Sequence, residues 1–93
     1  MIIGICQVSL YFPQSSSLKD KRNILRSIKV RLRNRYNVSV SELDDYNLWQ
    51  STLLGIVCVG KDKKYVNKVL NEVISFLERK NESELVNYEI NII

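Results

Sequence analysis

The order in which hydrophobic periodicities follow one another along this chain limits its fold to a few topologies. Apolar and polar side chains alternate with period two in four segments, and apolar residues recur every three or four positions in two longer segments. The first pattern is typical of half-buried strands and the second of amphipathic helices. The segments run strand, helix, strand, strand, helix, strand.

The first half of the chain predicts one strand and one long helix. The strand covers residues 2–12 and ends at Pro13, which has no N–H to give to a sheet. Its two faces carry Cys6, Val8, Leu10 and Phe12 on one side and Ile3, Ile5, Gln7, Ser9 and Tyr11 on the other. The helix begins at an N-cap, Ser17, with Asp20 three residues on, and continues to about Tyr36. Its apolar stripe consists of Leu18, Leu25, Ile28, Leu32 and Tyr36.

The second half predicts three strands around a second helix. A short strand places Val38 and Val40 opposite Ser39 and Ser41, and a polar turn follows at residues 44–47. The next strand, over residues 50–59, has Leu54, Ile56 and Cys58 on one face. Asp62 caps the helix, which ends near Lys80 and has an apolar side of Val66, Val69, Leu70, Val73 and Leu77. In the last strand Val86, Tyr88, Ile90 and Ile92 alternate with Asn87, Glu89 and Asn91.

This order predicts a ferredoxin-like α+β domain, βαββαβ, spanning residues 1–93. Right-handed crossovers place both helices on one face of a four-stranded antiparallel sheet, with the first and third strands in its centre. No apolar run reaches the ~18 residues of a membrane span, and we interpret the apolar N-terminus as a strand rather than a signal peptide. Cys6 and Cys58 lie in apolar runs and fit small core residues of a reducing, cytoplasmic compartment.

The residue types available argue against catalysis and against a metal or cofactor. Histidine is absent, which removes the usual zinc sites and the Ser-His and Cys-His pairs. Asp44 and Asp45 are adjacent in a turn and lack a third ligand. Acylphosphatases share the topology but use a Gly-rich phosphate loop with an arginine, whereas residues 12–17 here read FPQSSS. We expect a non-enzymatic protein.

The charge distribution is the main functional signal. Eight of the fourteen Lys and Arg residues lie between Lys19 and Arg35 with a single acid, so this segment carries +7 and the rest of the chain −3. Five of the cations fall within about 80° of one another on the helix and form a line some 20 Å long. We call this line the basic ridge: Lys19, Arg22, Arg26, Lys29 and Arg33. It fits either a polyanion-binding surface or a solvated face balanced by acidic neighbours.

Three further residues have candidate binding roles. Lys21 projects towards the apolar side of the helix, where it either joins a phosphate pocket with the hydroxyls of Ser15–Ser17 or pairs with a carboxylate such as Glu42 or Asp44. Trp49, beside Tyr46, either stacks on a base or fills a core or interface position.

The sheet face turned away from the helices, here called the outer face, predicts self-association. It is expected to carry Ile3, Ile5, Tyr11, Leu53, Val57 and Val59, together with Gln7, Ser9, Ser39 and Asn87. An RNA-recognition sheet shows aromatic side chains on both central strands, and this one offers Tyr11 alone. So much aliphatic surface favours a homodimer through the outer face or an edge strand.

Four short motifs, in this order and spacing, resemble the YlxP-like family of small bacterial proteins. They are SLKDKR at 17–22, NVSVSE at 37–42, LWQ at 48–50 and ELV at 84–86. The resemblance covers essentially the whole chain and implies a ferredoxin-like fold. Members are often encoded beside translation initiation and ribosome maturation factors, which implies a role near RNA or the ribosome.

The pattern and the resemblance together predict an RNA-binding, ribosome-associated domain that works without a cofactor. The expected nucleic-acid-binding residues are Lys19, Lys21, Arg22, Arg26, Lys29 and Arg33. The alternative is a protein-interaction module in which the same helix docks on an acidic partner, or in which the chain serves as a dimeric structural domain.

Overall fold

The computed structural model describes residues 1–43 and 48–93, and within them the elements follow the predicted order. The strands are β1 (Ile2–Tyr11), β2 (Val38–Glu42), β3 (Ser51–Gly60) and β4 (Glu84–Ile92). The helices are α1 (Leu18–Arg35) and α2 (Lys63–Glu78). The predicted turn at 44–47, which includes Tyr46, lies outside the described residues.

The sheet has the strand order β2-β3-β1-β4, and every neighbouring pair is antiparallel. β1 and β3 are therefore central, as predicted, and β2 and β4 are the edges. Cys6 is opposite Ile56, which is opposite Val40 on the next strand, so the inward side chains of three strands meet in one row. The ferredoxin-like α+β prediction is confirmed.

Side-chain caps fix where both helices begin. The Ser17 hydroxyl accepts the N–H of Asp20 at 3.1 Å, and the Asp62 carboxylate accepts the N–H of Tyr65 at 2.8 Å. Each bond satisfies a backbone donor that has no partner within its helix. Both predicted N-caps are confirmed, and α1 ends one residue before the expected Tyr36.

The core lies between the inner sheet face and the two helices. α1 contributes Leu25, Ile28 and Leu32, and α2 contributes Val66, Leu70, Val73 and Leu77, all buried. The sheet supplies Cys6, Val8, Leu10, Leu54, Ile56 and Cys58 from alternate positions of β1 and β3. Burial at every second residue of the strands and at helical spacing along the helices reproduces the two periodicities of the sequence.

The alternation along the last strand put Val86 on the side opposite Asn87, facing the core, and this prediction is wrong. Ser9 pairs with Asn87, but Leu10 pairs with Leu85, so the register of β4 shifts and Val86 has no opposite residue. This bulge sends Leu85 to the core and leaves Val86 65% exposed. Ile90 and Ile92, beyond the bulge, pack against the core as their spacing predicted.

Candidate nucleic-acid interface

The C-terminal half of the basic ridge is bound to the edge of the sheet. The Lys29 Nζ lies 2.8 Å from the Glu42 Oε2, and both side chains are mostly buried. The Arg33 guanidinium donates to the Val40 carbonyl at 2.9 Å. Because β2 is an edge strand, Arg33 covers a backbone carbonyl that would otherwise be open to strand pairing. The Lys29 charge is compensated within the fold, in agreement with the solvated-face interpretation for that residue.

The N-terminal half of the ridge is open to solvent. Lys19, Arg22 and Arg26 are exposed, and none of them forms a salt bridge or hydrogen bond with residues 1–43 or 48–93. At ~1.5 Å per residue they span about 10 Å of α1. Arg33 is also exposed and has donors left beyond the one that the Val40 carbonyl takes. The surface available to a polyanion is thus Lys19, Arg22 and Arg26, extended by Arg33.

Lys21 does not belong to this surface. It is 2% exposed, and its Nζ donates to the Leu48 carbonyl rather than to the Glu42 carboxylate, which is taken by Lys29. The other carboxylate considered, Asp44, lies outside the described residues. Lys21 sits on the side of α1 that turns to the core, so its aliphatic stem is buried and only its ammonium reaches a polar group. The expectation that it binds phosphate is corrected.

The phosphate pocket expected at the start of α1 is occupied by the protein's own groups. The buried Ser15 hydroxyl donates to the Trp49 carbonyl at 2.7 Å, and Ser16 donates its N–H and hydroxyl to the Asp20 carboxylate at 3.1 and 2.7 Å. Ser17 caps the Asp20 N–H. These hydrogen bonds from Ser16, with a smaller contribution from the nearby Lys19 cation, lower the pKa of Asp20. An anionic side chain therefore already holds the position that a phosphate would need.

Asp20→Asn should make stability less sensitive to acid. Because the pKa of Asp20 is lower in the folded chain, its contribution is present above the unfolded pKa and is lost as the pH falls through the folded pKa. We expect the wild type to have the higher urea midpoint at neutral pH, and the gap to Asp20→Asn to narrow below about pH 4. Urea titrations from neutral pH to below about pH 4 measure this difference in midpoint. Glu78→Gln is the control at an exposed position. A difference in midpoint that stays constant down to low pH would contradict the lowered pKa of Asp20.

The Trp49 side chain lies on the surface, and hydrogen bonds from three other residues hold the backbone of its segment. Its carbonyl and that of Leu48 accept bonds from Ser15 and Lys21, and the Gln50 carbonyl accepts the Phe12 N–H at 2.7 Å. The Trp49 side chain is 50% exposed and lines a cavity of about 430 Å³ with Tyr11. The core-filler interpretation is therefore excluded, while its predicted partner Tyr46 is not among the described residues.

The outer face carries the side chains that the strand periodicity assigned to it. Val57 and Val59 are 40% and 43% exposed, and Ile3, Ile5 and Leu53 are partly exposed. Leu43, beside Gly55, is a further member of this face that was not predicted, and Leu48 lies next to Trp49; both are about half exposed. Leu43 continues the alternation of Ser39 and Ser41, and this pattern was sufficient to predict that it lies on the outer face.

The two cysteines are structural. Cys6 and Cys58 are buried and free, and burial raises the pKa of both thiols, that of Cys6 to about 11. A thiol with a raised pKa carries little thiolate and is a poor nucleophile. Within the described part of the chain, no cluster of three or more acidic or cysteine residues is placed to hold a metal ion.

Arg35 stacks on two aromatic rings, a contact that the sequence pattern did not predict. Its guanidinium lies 5.8 Å from the ring centre of Tyr36 and 5.7 Å from that of Phe76. Tyr36 and Phe76 pack edge to face at 6.2 Å. Arg35 therefore joins the C-terminal end of α1 to α2 and lies on a different side of the helix from the ridge.

These features define a small ferredoxin-like α+β domain with a basic first helix, and neither α1 nor α2 is long and apolar enough to cross a membrane. A model of the DUF503 family, described as a protein of unknown function, matches residues 3–90, and the chain belongs to this family. The uncharacterized protein YlxP of Bacillus subtilis (strain 168) is 34% identical over 77 residues, which are 83% of this chain and 84% of that protein. The resemblance predicted from the four motifs is confirmed.

Proposed function

We propose that this protein is a non-enzymatic, cytoplasmic RNA-binding domain that associates with ribosomal RNA through the exposed part of the basic ridge. The observation that most supports the proposal concerns the exposure and pairing of three ridge cations, Lys19, Arg22 and Arg26. They lie on one face of one helix, are exposed, and have no ion-pair partner in the described chain. Uncompensated like charges in a row repel one another, and a polyanion removes this repulsion.

The binding mode follows from the side chains that are available. Lys and Arg on a helix surface contact phosphate oxygens, which fix the position of a nucleic acid without reading its sequence. The Trp49 side chain is half exposed, the Trp49 carbonyl is held by Ser15 just before α1, and the indole ring offers a face on which an unpaired base can stack. The structure thus favours an RNA with accessible backbone and weak sequence preference.

Reversing two ridge charges tests the proposal. Arg22→Glu with Arg26→Glu should weaken binding to a labelled single-stranded RNA at least about 100-fold, because each of the two lost phosphate contacts contributes about 1.5–3 kcal/mol. Fluorescence anisotropy at about 0.1 M salt measures the affinity under conditions that screen distant charges. Lys29 is left unchanged because its pairing with Glu42 would confound the result.

The matched control makes the same change in net charge on the other helix. Lys64→Glu with Lys68→Glu lies on the exposed side of α2 and also lowers the net charge from +4 to 0. We expect this variant to bind within about threefold of the wild type, because long-range charge is largely screened beyond ~10 Å at 0.1 M salt. Equal losses in both variants, or no loss in the ridge variant, would refute a ridge-specific site. A partner recovered from extract after nuclease treatment would instead favour docking on an acidic protein.

A further inference from the structure

We propose that the outer face of the sheet joins two copies of this chain in an isologous dimer. The face is uncharged at its centre, where the apolar pair Ile5 and Val57 lies next to Gly55. The residues opposite Gly55 are Gln7 and Ser41. Gly55 has no side chain, and the resulting groove has a volume of about 270 Å³ between β1, β2 and β3. A groove in an apolar face accepts side chains from an opposing apolar surface.

The charges on this face favour a second copy over a nucleic acid. The outward positions of β1, β2 and β3 carry no charged residue at all, and the outward acids of the sheet, Glu84 and Glu89, lie on the edge strand β4. A polyanion finds no cation here to neutralise its phosphates. Two copies placed face to face bring no like charges together at the centre of the contact, so the surface is compatible with itself.

The area of the face is sufficient for a stable dimer. β1, β3 and β4 are nine or ten residues long and β2 is five. At ~3.3 Å per residue and ~4.8 Å between strands, these lengths give a face of roughly 540 Å² per copy. Two copies would bury about 1,100 Å², just above the ~1,000 Å² that a specific interface should exceed. Leu43, which is half exposed beside Gly55, would add to this area.

The sheet edges are poorer candidates. Arg33 occupies the Val40 carbonyl on the short strand β2, and the bulge at Val86 interrupts the regular spacing of β4. The helices pack on the opposite side of the sheet from the outer face. A dimer through this face therefore leaves both basic ridges exposed, and the dimer proposal stands independently of RNA binding.

Sedimentation equilibrium of nuclease-treated protein in high salt tests the proposal, since these conditions remove any RNA bridge. We expect the wild type to have twice the 10.9 kDa mass of the chain. Val57→Lys should weaken the dimer at least about 100-fold, because it buries two unpaired cations per contact. The control is Val30→Lys, which makes the same change at a 46% exposed position of α1 and should stay dimeric.

A second variant probes the groove without adding charge. Gly55→Val fills it, and valine suits a strand better than glycine, so the monomer should stay folded. We expect it to weaken the dimer at least about tenfold. A wild type that is monomeric at high micromolar concentration would overturn the proposal. A Val57→Lys or Gly55→Val protein as dimeric as the wild type would also overturn it.

Discussion

Lys21→Ala is expected to lower the free energy of unfolding by about 2–4 kcal/mol, an effect typical of a truncated core residue rather than of a surface lysine. Lys21 is among the largest fully buried side chains of the described chain. Its stem packs among core residues, and its ammonium holds the carbonyl of Leu48. Alanine removes both the packed volume and the hydrogen bond. Chemical denaturation gives the loss in free energy.

Lys21→Met separates the two contributions. Methionine keeps most of the stem, loses the hydrogen bond, and also removes the cost of burying a charge, so its stability should be within about 1 kcal/mol of the wild type. Both variants release the segment that carries Trp49, the single tryptophan of the chain, and should make its fluorescence easier to quench. A Lys21→Ala protein within about 0.5 kcal/mol of the wild type would contradict the burial of Lys21.

Gly4→Val is expected to lower the free energy of unfolding by about 2–3 kcal/mol through overpacking. Gly4 lies on the inner face of β1, where α2 approaches the strand most closely. A Cβ at this position would clash with Val66 and would lie 2.6 Å from Leu70, and both of these side chains are fully buried. The helix would have to move away from the sheet. Thermal or urea unfolding measures the change.

The matched control for Gly4→Val is the same substitution at Gly55, on the opposite face. There a Cβ would meet only the end of the Leu43 side chain, at 2.8 Å, and Leu43 is half exposed and free to turn. At concentrations where the chain is monomeric, Gly55→Val should leave stability unchanged or raise it by up to about 1 kcal/mol. Equal destabilisation at both glycines would argue against the close approach of α2 to Gly4.

Local chemistry was enough to predict the elements. Ser17 and Asp62 are capping residues followed by helical periodicity, and both helices begin where those residues predict. Alternation along β1 and β3 separated the core positions from the outer face correctly, because a strand exposes successive residues to opposite sides. The strand order then followed from short connections and right-handed crossovers.

The errors concern contacts between residues far apart in the chain. Lys29 and Glu42 meet because α1 lies along β2, and Lys21 reaches Leu48 because the chain returns beneath the start of α1. Neither contact leaves a periodic trace in the sequence. The bulge at Val86 is of the same kind, since it depends on how β4 pairs with β1. These contacts reduced the candidate site from six cations to Lys19, Arg22, Arg26 and Arg33.

The proposed RNA interface and the proposed dimer interface use opposite layers of the domain. The ridge belongs to the helical layer, and the apolar face belongs to the sheet. If both proposals hold, one dimer presents two RNA-binding helices on opposite sides. Two linked weak sites bind a long RNA more tightly than either does alone, provided that the RNA can reach both.

The salt dependence of RNA binding tests the central proposal most directly. Four phosphate contacts, at ~0.7–0.9 per contact, predict a slope of log K against log salt of about −3 to −4 over roughly 50–200 mM salt. The contacts are made by Lys19, Arg22, Arg26 and Arg33. The Arg22→Glu, Arg26→Glu protein keeps Lys19 and Arg33, and the magnitude of its slope should be smaller by at least about 1.4. No measurable RNA binding at 50 mM salt, or an identical slope in the two proteins, would contradict the account.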